Sequence, residues 1–169
     1  MQSETATICQ KLAVVAVMLL GFPAFLYAQA PLHMSSNKKA IQLYFSEVIN
    51  KHDLSKLKPA VAVGYVWHAP DGGPAHRAAD SAHFKMLQFV FSAIPDIQYS
   101  IDNMIEEGDL VAVNTWVTGT ANKEFFGFPP GKKTITFRQM FFFRLKNQKI
   151  AEEWEVLDMG GIRDQLSKN

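Results

Sequence analysis

One cysteine, Cys9, is all the thiol this 169-residue chain carries. It lies upstream of an apolar run, Leu12 to Tyr27, so a chain trimmed of that run would form neither a disulfide nor a thiolate nucleophile. Charge of one sign is missing too. The formal net charge is +1 and no Lys/Arg run exceeds two residues. Such a chain has no field to gather nucleic acid or an anionic membrane, and no nucleic-acid partner is expected. There is no GxSxG elbow, no P-loop and no dinucleotide fingerprint. The glycines of "FFGFPPGKK" (125–133) precede no helical pattern whose amides could cradle a phosphate, and read as a crossover loop. Histidine is absent from the second half, all five lying at or before His83.

What is present is ordinary globular composition, 48% hydrophobic and 20% charged, at a length that suits one domain. The N-terminus is a separate object. Lys11, the run "LAVVAVMLLGFPAFLY" and then Ala28-Gln29-Ala30 have the basic, apolar and small-x-small order of a secretory signal peptide. The run is shorter than the roughly 20 residues of a membrane span and is broken by Pro23. Residues 1–30 are expected to be a leader cleaved after Ala28 or Ala30, the alternative being an uncleaved anchor. Residues 31–169 then form one exported domain, periplasmic or secreted, with no membrane span in the mature chain.

Periodicity divides that domain. Ile41, Tyr44, Phe45, Val48 and Ile49 form a helical stripe behind a possible Ser36 cap. A short helical turn surrounds Leu54 and Leu57, and the chain is then irregular through "YVWHAP" and "PDGGP". A further helix is predicted from about Asp80 to Ile94, stopped by Pro95. Beyond it the period changes from 3.6 to 2. "IQYSIDNMIEE", "LVAVNTWVTGTA", "TITFRQMFFFRLK" and "KIAEEWEVL" read as strands, with turns at Gly108 and at Asn147-Gln148. Short links make these neighbours antiparallel. The fold class is α+β, helices packed on one face of a strongly curved sheet.

Five segments, "FSAIPD", "EEGDLVAVNTWVTGT", "FFGFPPGKK", "FFFRLKNQKIAEEWEVLD" and "GGIRDQL", occur in an order that resembles the SnoaL-like polyketide cyclase, or ester cyclase, family. That family belongs to the nuclear-transport-factor-2-like superfamily. The resemblance implies a cone of curved antiparallel sheet closed by N-terminal helices, often paired through the sheet with a second subunit. It also implies a catalytic aspartate just after the last strand, at the position of Asp158, and a histidine before a proline, at His68. Asn114 and Ala121 stand where the family carries an arginine and a histidine.

Parity along the last strand places Ile150, Glu152, Trp154, Val156 and Asp158 on one face, and Ala151, Glu153, Glu155 and Leu157 on the other. With Trp154 inward, Glu152 and Asp158 are enclosed while Glu153 and Glu155 face water. Desolvation raises an enclosed carboxyl toward neutrality, which suits general acid–base work. Together with what the resemblance implies for Asp158 and His68, this makes Asp158, His68 and Glu152 the candidate catalytic residues. Asp158 has an alternative role as the cap of the "GGIRDQL" segment, and His68 as a packing residue beside Trp67. Trp154, Phe84, Trp116 and Met140 are candidate ligand contacts in an aromatic-rich pocket for a small apolar or aromatic molecule. His76 and His83 lack a third ligand and read as solvated helix residues, so no metal is expected, and the chemistry needs no cofactor. "MFFF" (140–143) is apolar on both faces, which points to a homodimer through the sheet. Three functions stay open: a cofactor-independent cyclase, lyase or isomerase acting next to a carbonyl, an exported binding protein for an apolar ligand, and a scaffold with a filled cone.

Overall fold

The computed structural model describes residues 34–77 and 81–167. The expected leader lies outside the described residues. Ser35 caps the first helix, its side chain accepting the Lys38 amide, one residue earlier than the cap expected at Ser36. Helix α1 (Ser36–Leu43) continues as a π-helical turn, Tyr44–Ile49. The stripe of Ile41, Tyr44, Phe45, Val48 and Ile49 is buried along its whole length. A 3₁₀ turn, Leu54–Lys56, leads into the one-turn helix α2 (Leu57–Ala60).

Strand β1 (Val61–His68) follows, where sequence suggested irregular chain, and pairs with a two-residue strand β2 (His76–Arg77). Its alternation is masked by Gly64, which takes φ +80° at a break in the pairing. Helix α3 (Ala82–Ala93) precedes the four-strand meander: β3 (Gln98–Glu107), β4 (Leu110–Thr120), β5 (Thr134–Lys146) and β6 (Lys149–Leu157). Helix α4 (Met159–Ser167) ends the described chain. The strand order is β2-β1-β6-β5-β4-β3, antiparallel throughout except that β1 runs parallel to β6.

Register shifts in β1, in β3 at Asp102 and opposite Arg144–Leu145 bend the sheet, because an unpaired extra residue increases local twist. The inner face carries Ile135, Phe137, Phe141, Phe143 and Leu145 from β5, all buried, against α1, its π-helical turn and α3. The link from α3 to β3 lies directly on β4, where a Cβ on Gly119 would stand 2.4 Å from Ile94 Cγ2. No helix among the described residues is long and apolar enough to cross a membrane.

Candidate functional site

The site is decided by one extra residue. Leu145 pairs with Ile150 but Arg144 pairs with Glu152, so Ala151 is left over as a bulge in β6. A one-residue insertion reverses the faces of everything beyond it. Ile150 points inward before the bulge, and after it Glu153 and Glu155 take the inner face opposite Phe143 and Phe141. The expected orientation is therefore reversed. Glu153 is 1% exposed and the Glu155 side chain 11%, whereas Glu152 and Trp154 turn to the outer face.

Three elements deliver partners to this carboxylate pair. Strand β1 contributes Tyr65, whose hydroxyl donates to Glu153 Oε2 at 2.7 Å, and Trp67, whose Nε1 donates to Glu155 Oε1 at 2.6 Å. From β5, Gln139 Nε2 donates to Glu155 Oε2 at 2.7 Å. Helix α3 places His83 over the pair, Nδ1 lying 2.7 Å from the Tyr65 hydroxyl and Nε2 3.9 Å from Glu155 Oε1. The His83 ring is stacked on Trp67 with centroids 4.9 Å apart. Glu153 Oε1 is buried with no hydrogen-bond partner. These donors are all neutral.

Burial governs the electrostatics. Desolvation, reinforced by the Glu155 charge, pushes the Glu153 carboxyl well above its ordinary value, against the Tyr65 hydrogen bond and a weaker pull from the Tyr44 hydroxyl. Desolvation likewise takes Glu155 up to about 7, with the Trp67 and Gln139 hydrogen bonds holding it from going higher. The same loss of solvent pushes the His83 imidazole down to about 3, so the ring is neutral at physiological pH. Two carboxyls this close do not both ionise near neutrality, and the deeper one, Glu153, keeps the proton.

The acids open on a pocket enclosing about 40 Å³ of free space, room for a water molecule, walled by Tyr44, Phe45, Leu87, Tyr99, Phe137 and Phe141. Its partly exposed lining residues, Pro70, Met86, Phe126 and Leu157, form the mouth. A larger recess of about 430 Å³ shares His83 with this pocket and is lined by Tyr65, Trp67, His76, Leu54, Leu57 and Phe84.

The residues singled out from sequence lie elsewhere. Asp158 is exposed and caps α4, its Oδ1 accepting the Gly161 amide at 2.8 Å and its backbone carbonyl accepting that of Ile162. His68 sits on the outer face with Nε2 2.9 Å from Glu152 Oε1, its ring stacked on Trp154 at 5.0 Å. Glu152 is shared with Arg144. Trp116 lies under Arg138, and it and Met140 are surface residues of the outer face. Phe84 is more than a third exposed at the recess. Asn114 reaches Asp102 on the exposed side of the sheet. His83, expected in solvent, is buried. One signal did mark it: it stands four residues before Leu87, in line with the apolar stripe of α3.

His83, Glu153 and Glu155 are also the one group among the described residues whose histidine and carboxylate atoms, all within 4.8 Å, come near enough to be tested as a cation site. The donor set does not fit one well. The Tyr65 hydroxyl stands between His83 Nδ1 and Glu153 Oε2, and both Glu155 oxygens already accept hydrogen bonds.

The architecture has close counterparts among solved structures. AclR of Streptomyces galilaeus, a proposed hydroxylase, superposes with a TM-score of 0.69 at 23% identity, over 81% of this chain and 99% of its own. IdmH of Streptomyces antibioticus, a proposed polyketide cyclase, gives 0.69 at 24% identity over 79% and 100%. A SnoaL-like polyketide cyclase of Agrobacterium tumefaciens gives 0.64 at 22% identity over 80% and 100%. Likeness at these identities speaks for the fold. No curated protein matches the chain by sequence. The profile of SnoaL-like polyketide cyclases matches residues 39–166, which span the sheet, the helices and the buried acids. On that match over most of its length, the chain belongs to the SnoaL-like polyketide cyclase family.

Proposed function

We propose that this protein is a cofactor-independent enzyme that moves a proton next to a carbonyl in a small apolar substrate. Glu155 is the base and Glu153 the neutral acid. The observation that carries the reading is Glu153 Oε1, a buried carboxyl oxygen without a partner, in the same pocket as Glu155. Tyr65 occupies Oε2, which leaves Oε1 as the atom that can carry a proton toward a ligand. A neutral carboxylic acid aimed at a carbonyl oxygen stabilises the developing enolate, while a carboxylate near neutrality takes the α-proton. Environments that push two carboxyls apart in this way assign one as acid and one as base.

The substrate this suits is uncharged, since two carboxyls supplied only with neutral donors repel an anion. Its body lies against aromatic walls, and the mouth residues Met86 and Phe126 must yield to admit it. The basic, apolar and small-x-small order at the N-terminus supports export to the periplasm or beyond. The exposed outer face, with Trp116, Met140 and Phe142, supports pairing with a second copy through the sheet.

The test is α-proton exchange in D₂O, followed by ¹H NMR, across a panel of uncharged cyclic and 1,3-dicarbonyl compounds. The enzyme should accelerate exchange for at least one of them, and Glu155→Gln should cost about 10²–10⁴-fold. Undiminished exchange in Glu155→Gln would overturn the assignment. A compound that binds tightly without exchanging would favour the binding-protein reading instead.

A further inference from the structure

We propose that Glu153, Tyr65, His83 and Glu155 form a closed proton wire, which returns to Glu153 the proton that Glu155 takes from a substrate without passing it through bulk solvent. The inference rests on the acid–base reading above and gives a role to Tyr65 and His83, neither of which needs to touch the substrate.

The geometry at Tyr65 carries it. The hydroxyl lies 2.7 Å from both Glu153 Oε2 and His83 Nδ1. A phenol has one proton, so it donates to one neighbour and accepts from the other. Two arrangements satisfy the phenol and both ring nitrogens. In the first, Tyr65 donates to Glu153 and accepts from His83 Nδ1–H, leaving Nε2 bare toward Glu155. In the second, Glu153 donates to Tyr65, Tyr65 donates to Nδ1, and Nε2–H points at Glu155. The two differ by one proton moved from Glu155 to Glu153 and by the tautomer of a ring that stays neutral in both. The last link, 3.9 Å from Nε2 to Glu155 Oε1, is longer than a hydrogen bond, and the adjoining 40 Å³ of free space has room for a water to close it.

After a turnover Glu155 is neutral and Glu153 is ionised. The Glu155 proton passes to the water and the water's to Nε2; Nδ1–H passes to the Tyr65 oxygen; the Tyr65 proton passes to Glu153 Oε2. Every O–H or N–H bond broken is matched by one formed, and the resting pair is restored. The proton then rests on the oxygen facing Tyr65, and a half-turn of the Glu153 carboxyl, a soft two-fold torsion, brings the O–H to the pocket side only when a substrate enters. The titratable groups facing this wire are the two glutamates of β6, Tyr65 of β1, His83 of α3, Tyr44 of the π-helical turn and Tyr99 of β3. Burial holds all three phenols protonated, so the ring and the acids are the members that change.

The test is long-range ¹H–¹⁵N NMR of the histidine rings in the ¹⁵N-labelled chain from pH 5 to 9. His83 is identified by loss of its signals in His83→Gln, and the glutamate carboxyls are titrated by ¹³C in parallel. The wire predicts that His83 stays neutral and switches from Nδ1–H to Nε2–H as Glu155 ionises. Tyr65→Phe should abolish the switch while the carboxyls still titrate. One fixed tautomer across the Glu155 titration, a ring that becomes charged in that range, or a switch that persists in Tyr65→Phe would each overturn it. If Tyr65→Phe does not fold, the wild-type switch alone decides. A carboxyl that titrates high beside a fixed tautomer removes the wire and leaves the acid–base reading; carboxyls that titrate as in free glutamate remove that reading itself.

Discussion

Replacing Glu155 by glutamine should make stability less dependent on pH in a direction the structure fixes. The folded chain holds the Glu155 carboxyl up at about 7, against 4.5 for an ordinary glutamate. Between those values the folded state keeps a proton that the unfolded chain has released, so stability falls as pH rises. The contribution is whole below pH 4.5 and is lost as pH climbs to about 7. At about 1.4 kcal/mol per pH unit the loss comes to about 3 kcal/mol by pH 7. His83 works the other way. Its folded value of about 3 lies below the ordinary 6.5, so it adds stability as pH rises between them and masks part of the wild-type slope. The difference between Glu155→Gln and wild type is therefore the quantity to measure, by urea unfolding at pH 4.5, 5.5, 6.5 and 7.5. Glutamine keeps an oxygen for Trp67 Nε1, and Gln139 can turn its amide to accept from the new NH₂, so the variant packs without an orphan. The variant should gain on wild type by about 3 kcal/mol between pH 4.5 and 7. A flat difference, or one that grows toward acid, would refute a desolvated Glu155.

Two further outcomes follow from the same geometry. Asp158→Ala should cost about 1 kcal/mol through loss of the α4 cap, read by denaturant unfolding, with no change in the ¹³C titration of Glu155; a changed titration would put Asp158 in electrical contact with the site. For the outer face, light scattering at micromolar concentration should give twice the mass of the chain, and Phe142→Glu should halve it, because the substitution puts a charge beside Ile105, Met140 and Trp154; a monomeric wild type refutes the pairing.

Much of the architecture was legible from local pattern. The α1 stripe, the stop at Pro95, the change of period after it and the turns at Gly108 and at Asn147-Gln148 are short-range signals, and the structure has an element or a turn at each. Both left-handed residues of the last turn, Asn147 and Gln148, have φ near +55°, as a two-residue hairpin requires. β1 was less legible, because Gly64 interrupts its alternation and its partner, β6, lies more than 80 residues away. Local pattern was enough for the class of fold, the order of its meander and the presence of acids in its last strand. Which acids face inward was not determined there. That depended on the Ala151 bulge, a mismatch between two strands that neither strand's alternation records, and it exchanged Glu152 and Asp158 for Glu153 and Glu155. Only tertiary structure brought Tyr65, His83 and Gln139, from three different elements, within reach of those carboxyls, and only burial there raises their affinity for protons.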